Sequence, residues 1–175
     1  MNSPWAATAS GGRYHLLAPD PSKIRIEEIA LALGNLCRFN GHTRCFYSVA
    51  QHSVLVAELV GPEHRLWGLL HDAHEAYVGD NIWPLKAAVP ELARVEEPAK
   101  RAVAAAFGLP WPEPEEVKGA DLIMLATEAR LFMPPPAPEG WDLPVEPLDM
   151  EIVPLPPEEA AALFLARFRE LAHAC

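Results

Sequence analysis

The chain has little cysteine and no long apolar run. Its three cysteines, among 175 residues, form no CxxC pair. This argues against a disulfide framework and favours a reducing compartment. No stretch approaches the roughly 18 apolar residues that a membrane helix needs. The first 15 residues lack a basic region followed by an apolar run, so we expect no signal peptide. These absences predict a cytoplasmic protein with no membrane contact.

Basic residues are also scarce. The sequence has 14 lysines and arginines against 24 aspartates and glutamates, which gives a net charge of −10. A protein that binds duplex nucleic acid needs a basic face to neutralise phosphates, so we exclude that class. A small anionic ligand stays possible, because a few local cations or a metal can hold it.

Half of the residues are hydrophobic, and they recur at helical spacing. The pattern predicts one all-α domain, a helical bundle over residues 1–175, with Ser48 as a helix N-cap. Residues 80–86 are predicted as a loop, and Pro98 predicts a break or kink in its helix. Residues 1–12 are expected to be loose, and residues 134–156 form a proline-rich connection. The predicted helices cover residues 24–39, 48–61, 62–79, 90–108, 117–133 and 157–174.

Four titratable residues stand where these helices should be buried: His52, His71, Asp72 and Asp121. Taken singly, each has an ordinary explanation as a hydrogen-bonded histidine or as an aspartate near a helix start. Burying several such groups without partners is costly. Two imidazoles and two carboxylates together form a good ligand set for a divalent ion such as Zn, Mn, Fe, Co or Ni. The spacing therefore favours a metal site.

The order His52, then His71-Asp72, then Asp121 resembles the H…HD…D pattern of the HD-domain metal-dependent phosphohydrolases. The segments "CRFNGHTRCFYSVAQHSVLVAEL" and "GLLHDAHEAYVGDNIWPLK" resemble the small 5′-deoxynucleotidases of that family. Over roughly residues 13–130, the sequence is most similar to the compact phage-type dATP triphosphohydrolases. The resemblance implies a single HD domain, one divalent metal (Co, Zn or Mn) and a homo-oligomer, in the host cytoplasm if the gene is phage-borne.

Two carboxylates follow the His-Asp pair. On a helix, Glu75 lies on the same face as His71 and Asp72, where it can take a proton from a water that the metal activates. Asp80, just past Gly79, can close over the site from the helix exit. The resemblance implies that both are catalytic, positioning the water and protonating the leaving group. His74 is displaced by a turn, and we expect it to take no part.

Substrate contacts need cations for phosphates and apolar walls for a base. Arg38 and Lys86 resemble the substrate-side arginine and lysine of the nucleotidases. Phe39, Trp83 and Pro84 can stack on a purine or pack against the sugar, although Trp83 can equally be a core residue. Glu128 recurs on the helix face of Asp121 and is expected to hold Arg38 or Lys86 by an ion pair.

The predicted activity is hydrolysis of a dNTP, with dATP implied by the resemblance, to deoxynucleoside and triphosphate by attack at the α-phosphorus. The residues leave alternatives open. One is a 5′-deoxynucleotidase acting on dNMPs, which breaks the same P–O bond. Others are a non-catalytic HD module that binds nucleotides and a helical interaction domain without metal. Hydrolysis of cyclic dinucleotides is disfavoured, because two-metal HD enzymes need additional histidines near these helices.

Overall fold

The computed structural model describes residues 4–134 and 143–173, and over these ranges it confirms an all-α bundle. Short 3₁₀ turns lie at Pro21–Lys23, Arg38–Gly41, Pro62–His64 and Pro90–Leu92. The elements of the described chain are β1 (Trp5–Ala7), β2 (Arg13–His15), α1 (Ile26–Asn35), α2 (Val49–Leu59), α3 (Arg65–Leu70), α4 (Glu75–Val78), α5 (Trp83–Ala88), α6 (Ala93–Ala106), α7 (Glu115–Phe132) and α8 (Pro157–Ala172).

The N-terminal segment is more ordered than its small polar residues predict. Within residues 1–12, which we expected to be loose, β1 pairs antiparallel with β2, and Ala6 lies opposite Tyr14. Tyr14 is buried and stacks on Tyr77 of α4, with ring centroids 4.0 Å apart. Burial of the Tyr14 ring anchors the hairpin. Local composition does not predict this contact, because Tyr77 is distant in the sequence. Residues 1–3 lie outside the described residues.

The predicted single helix over residues 62–79 is wrong. It is divided into the 3₁₀ turn, α3, a tight turn at residues 71–74 and α4. In that turn the N–H of Ala73 bonds to the carbonyl of Leu70, and the N–H of Glu75 bonds to that of Asp72. Bonds of this three-residue spacing wind the chain more tightly than an α-helix does. The polar residues therefore lie at a junction between two helices.

Three further expectations concern prolines. The loop predicted over residues 80–86 is partly wrong, because α5 begins within it. Pro84 is tolerated in the first turn of α5, since the backbone N–H that proline lacks would have no partner in that turn. The break predicted at Pro98 is absent, since α6 continues through it. The C-terminal helix is confirmed as α8, and residues 134 and 143–156 carry no helix or strand. Residues 135–142 of the predicted connection and residues 174–175 lie outside the described residues.

Two glycines let helices approach closely and so position the polar residues. A Cβ on Gly68 of α3 would lie 2.9 Å from the Cα of Ala57 in α2. A Cβ on Gly34 of α1 would lie 2.7 Å from the carbonyl oxygen of Pro157 at the start of α8. The first contact brings the end of α3 beside the middle of α2, where His52 lies. Ser48 caps α2 as predicted, its hydroxyl accepting from the N–H of Gln51 at 3.2 Å.

A second apolar cluster fixes α7 against α2 and α3. It contains Tyr47, Val56, Trp67, Met124 and Phe132, all buried. Asp121 and Glu128 lie on the same face of α7 as Met124 and Phe132, so this packing also brings them to residues from the first half of the chain. Across the described part of the chain, no helix has both the length and the apolar character to cross a bilayer.

Candidate metal centre

The four predicted metal ligands converge. His52 comes from α2, His71 and Asp72 from the tight turn after α3, and Asp121 from α7. One ligand atom of each residue lies within 4.8 Å of the others. Three of the residues are buried, whereas the side chain of Asp121 is 40% exposed. The group can therefore hold a metal ion, and it opens to solvent on the side of Asp121.

The distances between ligand atoms fit one small divalent ion. The Nε2 atoms of His52 and His71 are 3.3 Å apart. His52 Nε2 lies 3.1 Å from Asp121 Oδ1, and His71 Nε2 lies 3.2 Å from Asp72 Oδ2. Two nitrogens bound to tetrahedral zinc at about 2.0–2.1 Å are separated by about 3.3–3.4 Å. The donor set and its spacing suit a first-row transition metal.

Hydrogen bonds to the other ring nitrogens orient both histidines. His52 Nδ1 donates to Glu128 Oε1 at 2.7 Å, and His71 Nδ1 donates to the carbonyl oxygen of Gly68 at 2.7 Å. In the neutral rings these bonds leave both Nε2 lone pairs facing each other. A shared cation satisfies both lone pairs, and such outer hydrogen bonds are typical of histidines that bind metals.

Protons compete with a metal ion for the ligand atoms of the histidines and aspartates. Burial disfavours a charged His71, but Asp72 and Asp121 outweigh it and raise its pKa well above the usual value. Burial likewise opposes ionisation of Asp72, but His71, His52 and Arg38 outweigh it and lower its pKa well below the usual value. A metal must displace the histidine protons, so its affinity is expected to rise with pH.

Glu128 organises the residues behind the metal ligands. It is fully buried, and its Oε1 accepts from the hydroxyl of Tyr47 at 2.8 Å as well as from His52. Its Oε2 accepts from Nη2 and Nε of Arg38 at 3.1 and 3.3 Å. Burial opposes its charge, but His52 and Arg38 lower its pKa. The predicted pair with Arg38 is confirmed. We call Arg38, Tyr47, His52 and Glu128 the inner cluster.

Arg38 carries a buried positive charge to the edge of the metal ligands. Its Nη1 lies 3.8 Å from Asp72 Oδ2, and the residue is only 7% exposed. The next two residues, Phe39 and Asn40, have positive φ values of 55° and 52°. A phenylalanine in this region is strained, so the surrounding structure must hold it there. Phe39 is buried, and the guanidinium carbon of Arg38 lies 5.5 Å from its ring centroid.

Glu75 and Asp80 lie within electrostatic reach of the candidate ligand Asp72. Glu75 is 3% exposed, and its Oε2 has no hydrogen-bond partner within residues 4–134 and 143–173. Burial, followed by the charges of Asp72 and Asp80, raises the pKa of Glu75 well above the usual value. Burial also raises the pKa of Asp80, although Arg38 opposes this. Both carboxyl groups can therefore hold a proton next to the ligand group.

The predicted substrate residues of α5 lie farther out. Trp83 is 77% exposed and Pro84 is exposed, so Trp83 is not a core residue. Lys86 lies 3.4 Å from Glu96 Oε1, and its side chain is 34% exposed. Its charge acts on the pKa of Glu75 and of Asp80, which places it within electrostatic reach of both.

Two residues near this site were missed or set aside at the sequence level. His74, expected to take no part, is 1% exposed and borders the catalytic candidates. Burial and the charge of Lys100 lower its pKa to about 3. Burial opposes the charge of Lys100, but Glu113, Asp72 and Glu75 raise its pKa. The only sequence signal for His74 is its place between Asp72 and Glu75, and Lys100 carries no signal.

The fold and site define an all-α bundle with a buried His/Asp group that can bind a metal ion. No family model matches the chain. The uncharacterized protein YfdR of Escherichia coli K12 is 41% identical over 171 residues, covering 94% of this chain and 93% of YfdR. An uncharacterized protein of Rhodobacter capsulatus is 37% identical over 190 residues, covering 98% of this chain and 97% of that protein. The chain belongs to the family of YfdR.

Proposed function

We propose that this protein is a metal-dependent deoxynucleotide phosphohydrolase that converts a dNTP to deoxynucleoside and triphosphate. The supporting observation is the convergence of four candidate ligand atoms within 4.8 Å of one another, beside a buried carboxyl group with an unpartnered oxygen. The proposal extends to dATP as substrate, to Co, Zn or Mn as the metal, and to a homo-oligomer in the cytoplasm, as the resemblance to the HD phosphohydrolases implies.

The ligand group and the inner cluster share the task of handling phosphate charge. A divalent ion held by His52, His71, Asp72 and Asp121 supplies Lewis acidity and lowers the pKa of water. Arg38, held by the two hydrogen bonds that it donates to Glu128, would stabilise negative charge that develops on the oxygens of the α-phosphoryl group. Because Glu128 fixes the guanidinium beforehand, little reorganisation is needed during the reaction.

Glu75 and Asp80 would move the protons. Glu75 orients the attacking water and accepts its proton, and a carboxylate with a raised pKa is a stronger base than usual. The water oxygen forms a bond to the α-phosphorus, and the bond from that phosphorus to the 5′-oxygen breaks. Asp80, whose pKa is also raised, gives a proton to the departing 5′-oxygen. The products are the deoxynucleoside and triphosphate.

Product analysis tests the proposal directly. Purified protein is incubated with each dNTP and each dNMP in the presence of Co²⁺, Mn²⁺ or Zn²⁺, with His71→Ala as the control. We expect deoxyadenosine and intact triphosphate from dATP, and no product from the control. Release of orthophosphate from dNMPs alone would identify a 5′-deoxynucleotidase instead.

Metal content gives the second readout. Bound metal without turnover of any nucleotide would overturn hydrolysis in favour of a binding module. A wild-type protein that binds none of the three metals would contradict the ligand assignment itself.

A further inference from the structure

His74 is a buried polar side chain without a partner. It is 1% exposed, and neither Nδ1 nor Nε2 has a hydrogen-bond partner in the described part of the chain. An unpaired buried donor destabilises a fold, and most buried polar groups in native proteins are paired. The neighbouring Glu75 Oε2 is unpartnered in the same ranges. These are three such atoms in two consecutive residues, close in sequence to the candidate metal ligand Asp72, and they point to a ligand that supplies partners.

Lys100 brings a positive charge to the same place. It lies on α6, one turn after Glu96, and its ammonium is 3.5 Å from Glu113 Oε2, which is a long ion pair. A lysine has three donors, so this contact leaves capacity for further acceptors. The side chain is 28% exposed, and its charge is within electrostatic reach of His74, Asp72 and Glu75.

Lys86 provides a second cation from α5. Glu96 Oε1 lies 3.4 Å from its ammonium and also accepts from Asn81 Nδ2 at 3.2 Å, so Glu96 ties the start of α6 to the chain around α5. We call His74, Lys86 and Lys100 the outer cluster. In a protein with a net charge of −10, two lysines beside a buried imidazole form a local site for an anion with several charges.

We propose that the outer cluster, through His74 and Lys100 in particular, is a subsite for the β- and γ-phosphates of a nucleoside triphosphate. The inference rests on the proposed function and specifies its substrate class. Phosphate oxygens accept hydrogen bonds from an imidazole N–H and from ammonium groups, and such charge-assisted bonds are strong. His74 is two residues after Asp72, and Lys100 is within electrostatic reach of Asp72, so an α-phosphorus at the metal ligands would bring the remaining phosphates near the outer cluster. The subsite favours triphosphates over monophosphates.

The first experiment measures binding without turnover. Inorganic tripolyphosphate and orthophosphate are titrated calorimetrically into metal-free protein, because tripolyphosphate itself chelates divalent ions. We expect Lys100→Gln to weaken tripolyphosphate binding about 10- to 100-fold, the range of a charge-assisted hydrogen bond, and to leave orthophosphate unchanged. Lys23→Gln is the matched control, since Lys23 is an exposed lysine paired with Asp20. Equal tripolyphosphate binding by Lys100→Gln and wild type would overturn the subsite.

A second variant separates recognition from a structural role. His74→Leu replaces an unpartnered buried imidazole with an apolar side chain of similar size, so its unfolding temperature should equal or exceed that of the wild type. Tripolyphosphate binding should nevertheless weaken. A folded His74→Leu protein that binds tripolyphosphate as the wild type does would remove His74 from the subsite. A lower unfolding temperature would mean that the imidazole has a structural partner, which also contradicts the proposal.

Kinetics distinguishes this inference from the proposed function. With dATP and dAMP as substrates, Lys100→Gln should lower kcat/KM for dATP by a larger factor than kcat/KM for dAMP, because only dATP has the β- and γ-phosphates. Equal kcat/KM values for dATP in variant and wild type would overturn the subsite and leave the hydrolase intact. If the wild type hydrolyses no nucleotide but binds tripolyphosphate through Lys100, the proposed hydrolysis fails and the polyphosphate subsite stands.

Discussion

The inner and outer clusters meet at Asp72 and differ in how their charges are partnered. In the inner cluster, Glu128 receives hydrogen bonds from three side chains at 2.7–3.3 Å. In the outer cluster, His74 has no partner in the described chain, and the two lysines make ion pairs of 3.4 and 3.5 Å. The chain therefore completes the inner cluster by itself, whereas the outer cluster has capacity for a ligand.

The two clusters also differ in construction. The inner cluster joins Glu128 of α7 to residues 76 to 90 positions earlier, in α2 and in the segment before it, and all four residues are buried. The outer cluster comes from the tight turn at residues 71–74, from α5 and from α6, and its lysines are about one-third exposed. A buried network such as the inner cluster keeps its geometry whether or not a ligand is bound. Flexible, partly exposed lysines such as those of the outer cluster can adapt to a ligand after it binds.

The largest effect is expected where the two clusters meet. Asp72→Asn removes the carboxylate that lies 3.2 Å from His71 and 3.8 Å from Arg38. We expect negligible metal content and a loss of turnover of about 10³-fold or more, because the metal's charge stabilisation is lost. Asp20→Asn, at an exposed aspartate, is the control. Full metal content in Asp72→Asn, measured by elemental analysis, would rule out Asp72 as a ligand.

The next change addresses proton transfer alone. Glu75→Gln keeps the shape of the side chain and removes its basicity, so turnover should fall about 10²- to 10⁴-fold. Metal content should stay equal to that of the wild type, since Glu75 is not among the ligands. Glu27→Gln on the exposed face of α1 is the control. Parallel loss of metal and turnover would show that Glu75 binds the metal instead of moving a proton.

Breaking the inner cluster should cost stability first. Glu128→Gln leaves Arg38 buried without its ion pair, so the free energy of unfolding should fall by about 3–5 kcal/mol, as measured by urea denaturation. Metal affinity should fall about 10- to 100-fold, because a neutral amide oxygen replaces the charged carboxylate that orients His52. Glu115→Gln, at an exposed residue of the same helix, is the control. An unchanged unfolding free energy would mean that the inner cluster is not a structural support.

The two clusters were not equally predictable from the sequence. The metal ligands stood out because titratable residues interrupt apolar helical runs, and the same periodicity gave the helices around them. The tight turn at residues 71–74 was missed because apolar spacing alone does not separate one helix from two short ones. The bond from Tyr47 to Glu128 spans 81 residues and depends on how α7 packs, which local pattern does not encode.

The outer cluster shows the same limit more strongly. Lys100 looks like any surface lysine of an amphipathic helix, and only the tertiary position of α6 brings it beside His74. His74 was set aside from its rotation on an uninterrupted helix. Residues 62–79 do not form one helix, so the expected direction of the His74 side chain was wrong.

The pH dependence of stability should have opposite signs for Glu75, which is next to His74 of the outer cluster, and for Glu128 of the inner cluster. The folded pKa of Glu75 is raised, so its stabilising contribution is present below the unfolded pKa of about 4.3 and is lost as pH rises through the folded pKa. The folded pKa of Glu128 is lowered, so its contribution is present above the unfolded pKa and is lost as pH falls. In metal-free protein, Glu75→Gln should gain stability over the wild type between pH 5 and pH 8. An equal difference at both pH values would contradict a raised pKa.

The smallest effect on stability and activity is expected for Trp83 of α5. Trp83 is 77% exposed, so Trp83→Ala should change the free energy of unfolding by no more than about 0.5 kcal/mol. If the exposed ring stacks on the base of the nucleotide, KM for dATP should rise about two- to tenfold with little change in kcat, since an aromatic contact contributes about 0.5–1.5 kcal/mol. Trp5→Ala in the N-terminal hairpin, also exposed, is the control. An unchanged KM would show that Trp83 does not contact the base, and the proposed recognition of the substrate by the outer cluster would then involve the phosphates alone.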